Sequence, residues 1–180
     1  MGAVDLLLRG AGMTVADLEA VVMTRGPGSF TGIRVTLATA LGLARGRAIP
    51  AHGFSSLLVQ AARVRAGSCL AVQPARRGFV YCQEFDLSGA VPEPLAEPRV
   101  IEVAALDASP HPIVAPAGLS LPPHLPVASP RGTASEALLD LALTTEIFDA
   151  STLVPLYIEP PQAVPPRGKV PPWPPSQTAS

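Results

Sequence analysis

The amino-acid sequence predicts an α/β fold, most clearly in its first half. Residues 4–86 alternate segments of helical periodicity with short apolar runs, and glycine or proline separates them. Of the 22 prolines, only Pro27, Pro50 and Pro74 precede residue 90, so the second half is built differently. Hydrophobic residues make up 48% of the 180 residues, which is enough apolar side chain for a core. This length fits one domain or two small lobes.

The first elements are predicted from a helix cap and an apolar run. A short helix is expected over residues 4–9, closed by glycine, and Thr14 can cap a second turn after it. Residues 20–24 are a compact β-branched run, which is typical of a strand buried on both faces.

A glycine loop and a long helix follow this strand. The loop is Arg25-Gly-Pro-Gly28, and either Ser29 or Thr31 can cap a helix over residues 30–45, which Gly46 would end. Free backbone N–H groups at such a helix start can hold a phosphate, but the dinucleotide and P-loop fingerprints are both absent. A structural turn, an anion site and a partner contact therefore remain open for this loop.

Four more elements complete the first half. They are a strand at 48–52, a helix at 55–65, a strand at 70–73 and a return strand at 79–85. The turn residues between the last two predict a hairpin. Its Arg76 and Arg77 either touch a phosphate or a partner carboxylate, or are only solvated.

Few elements are predicted after Gly89. The candidates are a strand at 113–114, a helix at 134–143 and a last strand at 153–158. Residues 164–180 are proline-rich and are expected to be extended and solvated.

The helix at 30–45 carries two apolar faces. One is an ordinary core stripe that comprises Ile33, Leu37, Ala40 and Ala44. The other aligns Thr31, Val35, Ala38 and Gly42, whose small size lets another helix approach closely. Packing within the same domain and contact with another molecule both remain open for this second face.

Charge and cysteine usage exclude several function classes. The chain has 13 Lys and Arg against 14 Asp and Glu, a net charge of −1, which disfavours nucleic-acid binding by the chain alone. Cys69 and Cys82 fit neither a zinc pair nor a disulfide framework, and the three histidines lack metal-ligand spacing. We therefore expect no metal and no cofactor.

Targeting and catalytic signals are absent from the sequence pattern. The N-terminus lacks a signal-peptide pattern, and no run reaches the ~18 apolar residues that a membrane helix needs. A cytoplasmic protein is expected. Ser29 lies in no nucleophile elbow, and neither cysteine has an identifiable base, so an enzyme acting alone is poorly supported.

One long segment resembles a known family. It reads Val22-Met-Thr-Arg-Gly-Pro-Gly-Ser-Phe-Thr-Gly-Ile-Arg-Val-Thr-Leu-Ala-Thr-Ala-Leu-Gly-Leu-Ala44 and is similar to the hallmark segment of the bacterial TsaB family. The similarity continues at Gly53-Phe-Ser-Ser-Leu57 and at Ala75-Arg-Arg-Gly-Phe-Val-Tyr81, and more weakly over residues 155–163.

This resemblance implies an actin/Hsp70-like (ASKHA) fold of two lobes. Residues 1–86 would form an N-terminally truncated first lobe, residues 87–163 a reduced, proline-rich second lobe, and residues 164–180 a disordered tail. The implied function is that of a non-catalytic subunit. TsaB-like proteins pair with the catalytic subunit TsaD and, with the ATPase TsaE, install threonylcarbamoyl on the adenosine 3′ of the anticodon in ANN-decoding tRNAs.

The resemblance also implies where the partner binds. Helices of the first lobe form the pairing surface in this family, in agreement with the small-residue face described above. The expected partner-interface residues are Thr31, Arg34, Val35 and Ala38. A TsaD-like subunit is the expected partner, and a TsaE-like ATPase and tRNA are reached only through the complex.

The chain departs from the family pattern in places. Relatives begin with a strand that carries an Ile-Asp-Thr-Ser-like segment, whereas this chain starts at the first helix, as a fragment or a shortened gene model would. Gln73 stands where an aspartate is usual, and Glu159 where an arginine is common.

Two rival functions come from other classes. One is an enzyme, either an ATP-dependent phosphotransferase that uses the glycine loop or a glycopeptidase-like hydrolase. The other is a homodimeric scaffold module that uses the same helix face.

Overall fold

Two groups of strands organise the part of the chain that the computed structural model describes, residues 2–65, 67–145 and 148–159. The helices are α1 (Gly2–Gly10), α2 (Phe30–Arg47), α3 (Ser56–Ala61) and α4 (Ala134–Thr145). The strands are β1 (Val21–Thr24), β2 (Ala51–Phe54), β3 (Ser68–Pro74), β4 (Phe79–Asp86), β5 (Glu93–Pro94), β6 (Arg99–Glu102) and β7 (Ile113–Val114). The expected α/β alternation of the first half is confirmed.

The strands form two sheets. β1 and β2 pair in parallel, with Val21 opposite Ala51. β3 and β4 form the expected antiparallel hairpin, β7 adds to β3 in parallel, and β5 and β6 both pair with β4. This second sheet continues across residue 86, and the lobe boundary there stays a prediction.

A capping box orders the chain before β1. Ala16 N donates to Thr14 Oγ1 at 3.2 Å, and Thr14 N donates to the Asp17 carboxylate at 2.8 Å. These bonds stabilise the 3₁₀ turn Val15–Asp17, as the cap at Thr14 predicts. The backbone hydrogen bond from Thr14 also lowers the pKa of Asp17.

Helix α2 begins where the sequence predicts and ends two residues later. Ser29 caps it by accepting a bond from Gly32 N at 3.3 Å. Gly46 does not end it, because Ala48 adopts the left-handed conformation at φ 52° and its N–H bonds the last carbonyls. The next strand therefore starts at Ala51 and not at residue 48.

The predicted core stripe of α2 is confirmed. Ile33, Leu37, Ala40 and Ala44 are buried against Met23 of β1 and Ala51 of β2. The prediction that β1 is buried on both faces holds only in part, because Val21 and Val22 are half-buried and only Met23 is buried.

The hairpin separates two apolar clusters. On one face, Cys69, Ala71 and Phe85 pack with residues of α3 and with Val64. On the other face, Leu70, Val72, Val80 and Cys82 pack with Leu106, Ile113 and Leu125. Helix α3 ends at Ala61, short of the predicted residue 65. The Arg63 carbonyl accepts a bond from Arg131 N at 2.7 Å and so joins a different part of the chain.

The second half contains elements that the sequence pattern did and did not predict. The strand at 113–114 is confirmed, and α4 extends the predicted helix by two residues. The sequence does not predict β5 and β6, because β5 has only two residues, one of which is Pro94, and β6 directly follows Pro98. The predicted strand at 153–158 is wrong, since this segment joins neither sheet. The tail at 164–180 lies outside the described residues.

Two glycines let the segment 149–158 lie directly on the first sheet. A Cβ at Gly53 would stand 2.8 Å from the Thr152 carbonyl oxygen, and a Cβ at Gly26 would stand 2.9 Å from that of Leu156. A backbone hydrogen bond holds the segment there, because Leu156 N donates to the Arg25 carbonyl at 2.8 Å. The segment thus follows the ends of β1 and β2 without joining them as a strand. Among the described residues, no helix has the length and apolar character to cross a bilayer.

Candidate protein interface

The second face of α2 is open to solvent. Thr31, Arg34, Val35 and Ala38 are all exposed, and Val35 exposes 60% of its surface. Gly42, one turn further on, is exposed as well. The four expected interface residues thus lie together on one helix face, which we call the α2 face.

The α2 face has the shape that close helix packing requires. Next to this face, Thr39 Oγ1 donates to the Val35 carbonyl at 2.9 Å, so its hydroxyl is bonded to the helix backbone. Side chains at positions 31, 35, 38 and 42 are small or β-branched. A partner helix can therefore approach the α2 backbone closely.

An aromatic and arginine cluster borders the α2 face at its N-terminal end. Arg34 Nε donates to the Tyr157 hydroxyl at 3.0 Å, and the Arg34 guanidinium lies 3.9 Å from the centre of the Phe30 ring. The Phe30 and Tyr157 rings stack with their centres 5.4 Å apart. Phe30 and Tyr157 nevertheless expose 42% and 38% of their surface. Tyrosine and arginine are the residue types enriched at the energetic centres of interfaces.

The segment that brings Tyr157 to this cluster is held at several points. Gly53 N donates to Thr152 Oγ1 at 2.8 Å, and Asp149 N donates to His52 Nδ1 at 3.2 Å. Burial lowers the pKa of His52, and bonds from Ser151 lower that of Asp149. Tyr157 is therefore positioned by the sheet as well as by Arg34.

Arg34 was predicted from the sequence as an interface residue, whereas Phe30 and Tyr157 were not. Aromatic residues make up only 4% of the chain, and both of these lie in segments predicted as regular structure. An aromatic residue at the start of an exposed helix face is a signal that could have found Phe30. Tyr157 lies 123 residues from Arg34, and no spacing rule connects such positions.

The hairpin arginines have different environments. Arg76 forms an ion pair with Glu159, and its guanidinium lies 3.8 Å from the centre of the Phe79 ring. Glu159, which stands where the family pattern has an arginine, is thus paired with an arginine of the hairpin. Arg77 is exposed.

The cysteines and histidines do not assemble into a site. Burial raises the pKa of Cys69 to about 11 and also raises that of Cys82. His111 bonds Ser68, and His124 lies beside Asp107. Within residues 2–65, 67–145 and 148–159, no group of three or more His, Cys, Asp or Glu side chains is placed to hold a metal.

Comparison with known proteins gives a family. The family model described as "TsaD: tRNA N6-adenosine threonylcarbamoyltransferase" matches residues 1–148. The proteins called tRNA threonylcarbamoyladenosine biosynthesis protein TsaB from Escherichia coli and Bacillus subtilis are 39% and 41% identical over 83 residues each, 44% and 45% of this chain and 36% of each relative. The chain belongs to the family that this model describes, and within it the chain is a TsaB-type member.

Other relatives extend the match along the chain. An uncharacterized protein of Mycobacterium tuberculosis is 34% identical over 163 residues, which cover 88% of this chain and 72% of the relative. A crystal structure of a Pseudomonas aeruginosa protein described as similar to the peptidase YeaZ superposes with a TM-score of 0.65 at 22% identity, over 87% of this chain and 81% of that one. YeaZ from the same organism gives a TM-score of 0.62 at 24% identity, over 86% and 80%. The expected actin/Hsp70-like fold is confirmed.

Proposed function

We propose that this TsaB-type chain is a non-catalytic subunit in the biosynthesis of threonylcarbamoyladenosine in tRNA, and that it pairs with a TsaD-type catalytic subunit through the α2 face. The names of the E. coli and B. subtilis relatives support the pathway. The proposal includes a cytoplasmic location, a division into two lobes near residue 86, and contact with a TsaE-type ATPase and with tRNA only through the complex.

The observation that carries the proposal is the exposed α2 face beside the cluster of Phe30, Arg34 and Tyr157. Burying Val35 and these two rings would remove apolar surface from water at roughly 25 cal/mol per Å². Arg34 keeps hydrogen-bonding capacity beyond its bond to Tyr157, because a guanidinium has five N–H donors. A partner that presents small apolar residues and a carboxylate would match this surface.

A role without chemistry of its own agrees with the side chains present. With raised pKa values, both cysteines stay thiols at neutral pH and are poor nucleophiles. The net charge of −1 supports tRNA contact through the complex rather than by this chain alone.

The test is size-exclusion chromatography with light scattering, on the chain alone and mixed with the TsaD-type protein of the same organism. We expect a 1:1 complex for the wild type. Ala38→Arg is expected to abolish it, because a charge would be buried where a helix must approach. Ser135→Arg is the matched control, since position 135 is an exposed helical position on α4, and it should pair like the wild type.

Two results would overturn the proposal. One is wild-type pairing by the Ala38→Arg protein, which would remove the α2 face from the interface. The other is a stable homodimer of the wild type that persists in the presence of the TsaD-type protein, which would favour the homodimeric module.

A further inference from the structure

A cleft of about 310 Å³ lies at the glycine loop, on a side of α2 that the proposed pairing does not use. Gly28, Ser29 and Thr36 line it from the loop and α2, and Ser56 and Gln60 line it from α3. Its volume is at the lower end of the range for ligand cavities, about 300–1,000 Å³. The cleft is thus large enough for a small molecule.

Gln60 is a buried polar side chain with an unused donor at this cleft. It exposes 1% of its surface, and its Oε1 accepts a bond from Arg63 Nη1 at 2.8 Å. Its Nε2 has no hydrogen-bond partner among the residues that the structure describes. The second buried glutamine differs, because Gln83 Nε2 donates to the Ala96 carbonyl at 2.9 Å. Buried donors without an acceptor are rare, so we expect an acceptor from a bound molecule beside Gln60 Nε2.

The start of α2 lies at the same cleft, and because Gly32 N and Ile33 N already donate to Ser29, its contribution there is the helix dipole. This helix has 18 residues, and the partial positive charge of its N-terminus favours a negatively charged ligand group. No Asp, Glu, Lys or Arg is among the described residues that line the cleft. An anion in the cleft is therefore not repelled by a carboxylate of the lining. Because the lining also lacks a cationic side chain, the cleft suits a ligand group with one negative charge better than a group with several.

From these observations we propose that the cleft binds the oxyanion group, carboxylate or phosphate, of a small ligand. Gln60 Nε2 donates one bond, and the N-terminus of α2 supplies the favourable potential. Nε2 is itself enclosed, and the terminal torsion of a glutamine side chain is soft, so the binding step includes a rotation that turns Nε2 toward an acceptor in the cleft. The remaining wall, which includes Ile33 and Val59, is apolar and suits the body of the ligand.

The experiment measures the thermal unfolding midpoint of the full chain in increasing inorganic phosphate, in acetate, and in chloride at matched ionic strength. A ligand that binds only the folded state raises the midpoint with its concentration. Phosphate and acetate distinguish the two sources of the oxyanion. We expect at least one of them to raise the midpoint beyond the chloride value.

Two glutamine variants assign the effect to the cleft. Gln60→Met keeps the side-chain volume and removes the donor, and we expect the apparent affinity for the anion to fall at least about tenfold. Gln83→Met is the matched control, which is expected to lower the midpoint in all buffers because it removes a satisfied buried bond, and to keep the anion response.

The proposal is overturned if neither anion stabilises the wild type beyond chloride, or if Gln60→Met responds like the wild type. If Gln60→Met does not fold, Gln60→Leu decides, because it also removes the amide donor at the cleft. A weakened anion response in Gln60→Leu supports the proposal, and an unchanged response contradicts it.

Discussion

Arg34 and Tyr157 are joined by a hydrogen bond of 3.0 Å from Nε to the phenolic oxygen, although 123 residues separate them. This bond ties the N-terminal half of α2 to the segment that follows α4. The guanidinium also lies over the Phe30 ring, so its orientation is fixed on two sides. A side chain held in this way loses little further freedom when a partner binds.

The first prediction concerns the Tyr157 hydroxyl. Tyr157→Phe keeps the ring stack with Phe30 and removes the bond to Arg34, so we expect pairing with the TsaD-type subunit to weaken by about 1 kcal/mol. Tyr157→Ala, which also removes the ring, is expected to cost about 2 kcal/mol or more. Titration calorimetry measures both values. Tyr81→Phe, at the other tyrosine of the chain, is the control, and an equal loss in that variant would contradict a specific role for Tyr157.

The second prediction compares two glycines. Gly53→Ala is expected to lower the free energy of unfolding by about 1–3 kcal/mol, because the new Cβ would stand 2.8 Å from a backbone oxygen of Thr152. Gly46→Ala, in α2 with no atom near its Cβ position, is expected to raise it by about 0.5–1 kcal/mol. Urea denaturation measures both. Equal stabilities would show that the segment at 149–158 does not lie on β2 as described.

The third prediction concerns thiol reactivity. With a pKa of about 11, only about one Cys69 side chain in a thousand is a thiolate at pH 8, and both cysteines are buried. We expect Ellman's reagent to label the folded protein only as fast as it unfolds, and to label two thiols at once in denaturant. Cys69→Ala should reduce the denatured count to one. Rapid labelling of the folded wild type would contradict the burial of both side chains.

The fourth prediction concerns the capping box. The pKa of Asp17 is lowered in the folded state, mainly by the backbone bond from Thr14, so its carboxylate contributes stability above the unfolded pKa near 3.8. This contribution is lost as the pH falls through the lower folded value. We expect Asp17→Asn to be less stable than the wild type at pH 7, and the difference to shrink below about pH 4. Denaturation curves across this range measure it, and a difference that stays constant down to pH 2 would contradict the assignment.

Sequence patterns predicted the structure where local chemistry decides it. Ser29 caps α2 as a serine after a glycine loop should, and the hairpin of β3 and β4 forms around its predicted turn. The end of α2 could not be predicted in the same way, because an alanine, Ala48, takes the left-handed conformation that glycine usually adopts. Backbone bonds from Ala48 N and Ile49 N to the Ala44 carbonyl close the helix in this conformation.

The segment at 153–158 does not form the strand that its sequence predicts. Its apolar residues favour a strand, but its backbone pairs with a single position, because Leu156 N donates to the Arg25 carbonyl and the Leu156 oxygen lies against Gly26. Such contacts depend on the tertiary structure and leave no periodic signal. For the same reason only part of the candidate site could be predicted. Helical spacing predicts the α2 face, whereas Tyr157 reaches it only in the folded chain.

The bond between Arg34 and Tyr157 also sets an order of events during synthesis. When α2 leaves the ribosome, the residues that complete its aromatic cluster have not yet been translated, since 123 positions separate the two partners. A nascent chain therefore presents the α2 face without Tyr157 and without the segment that lies on Gly53. The surface proposed for pairing is therefore complete only after almost the whole described chain has been made.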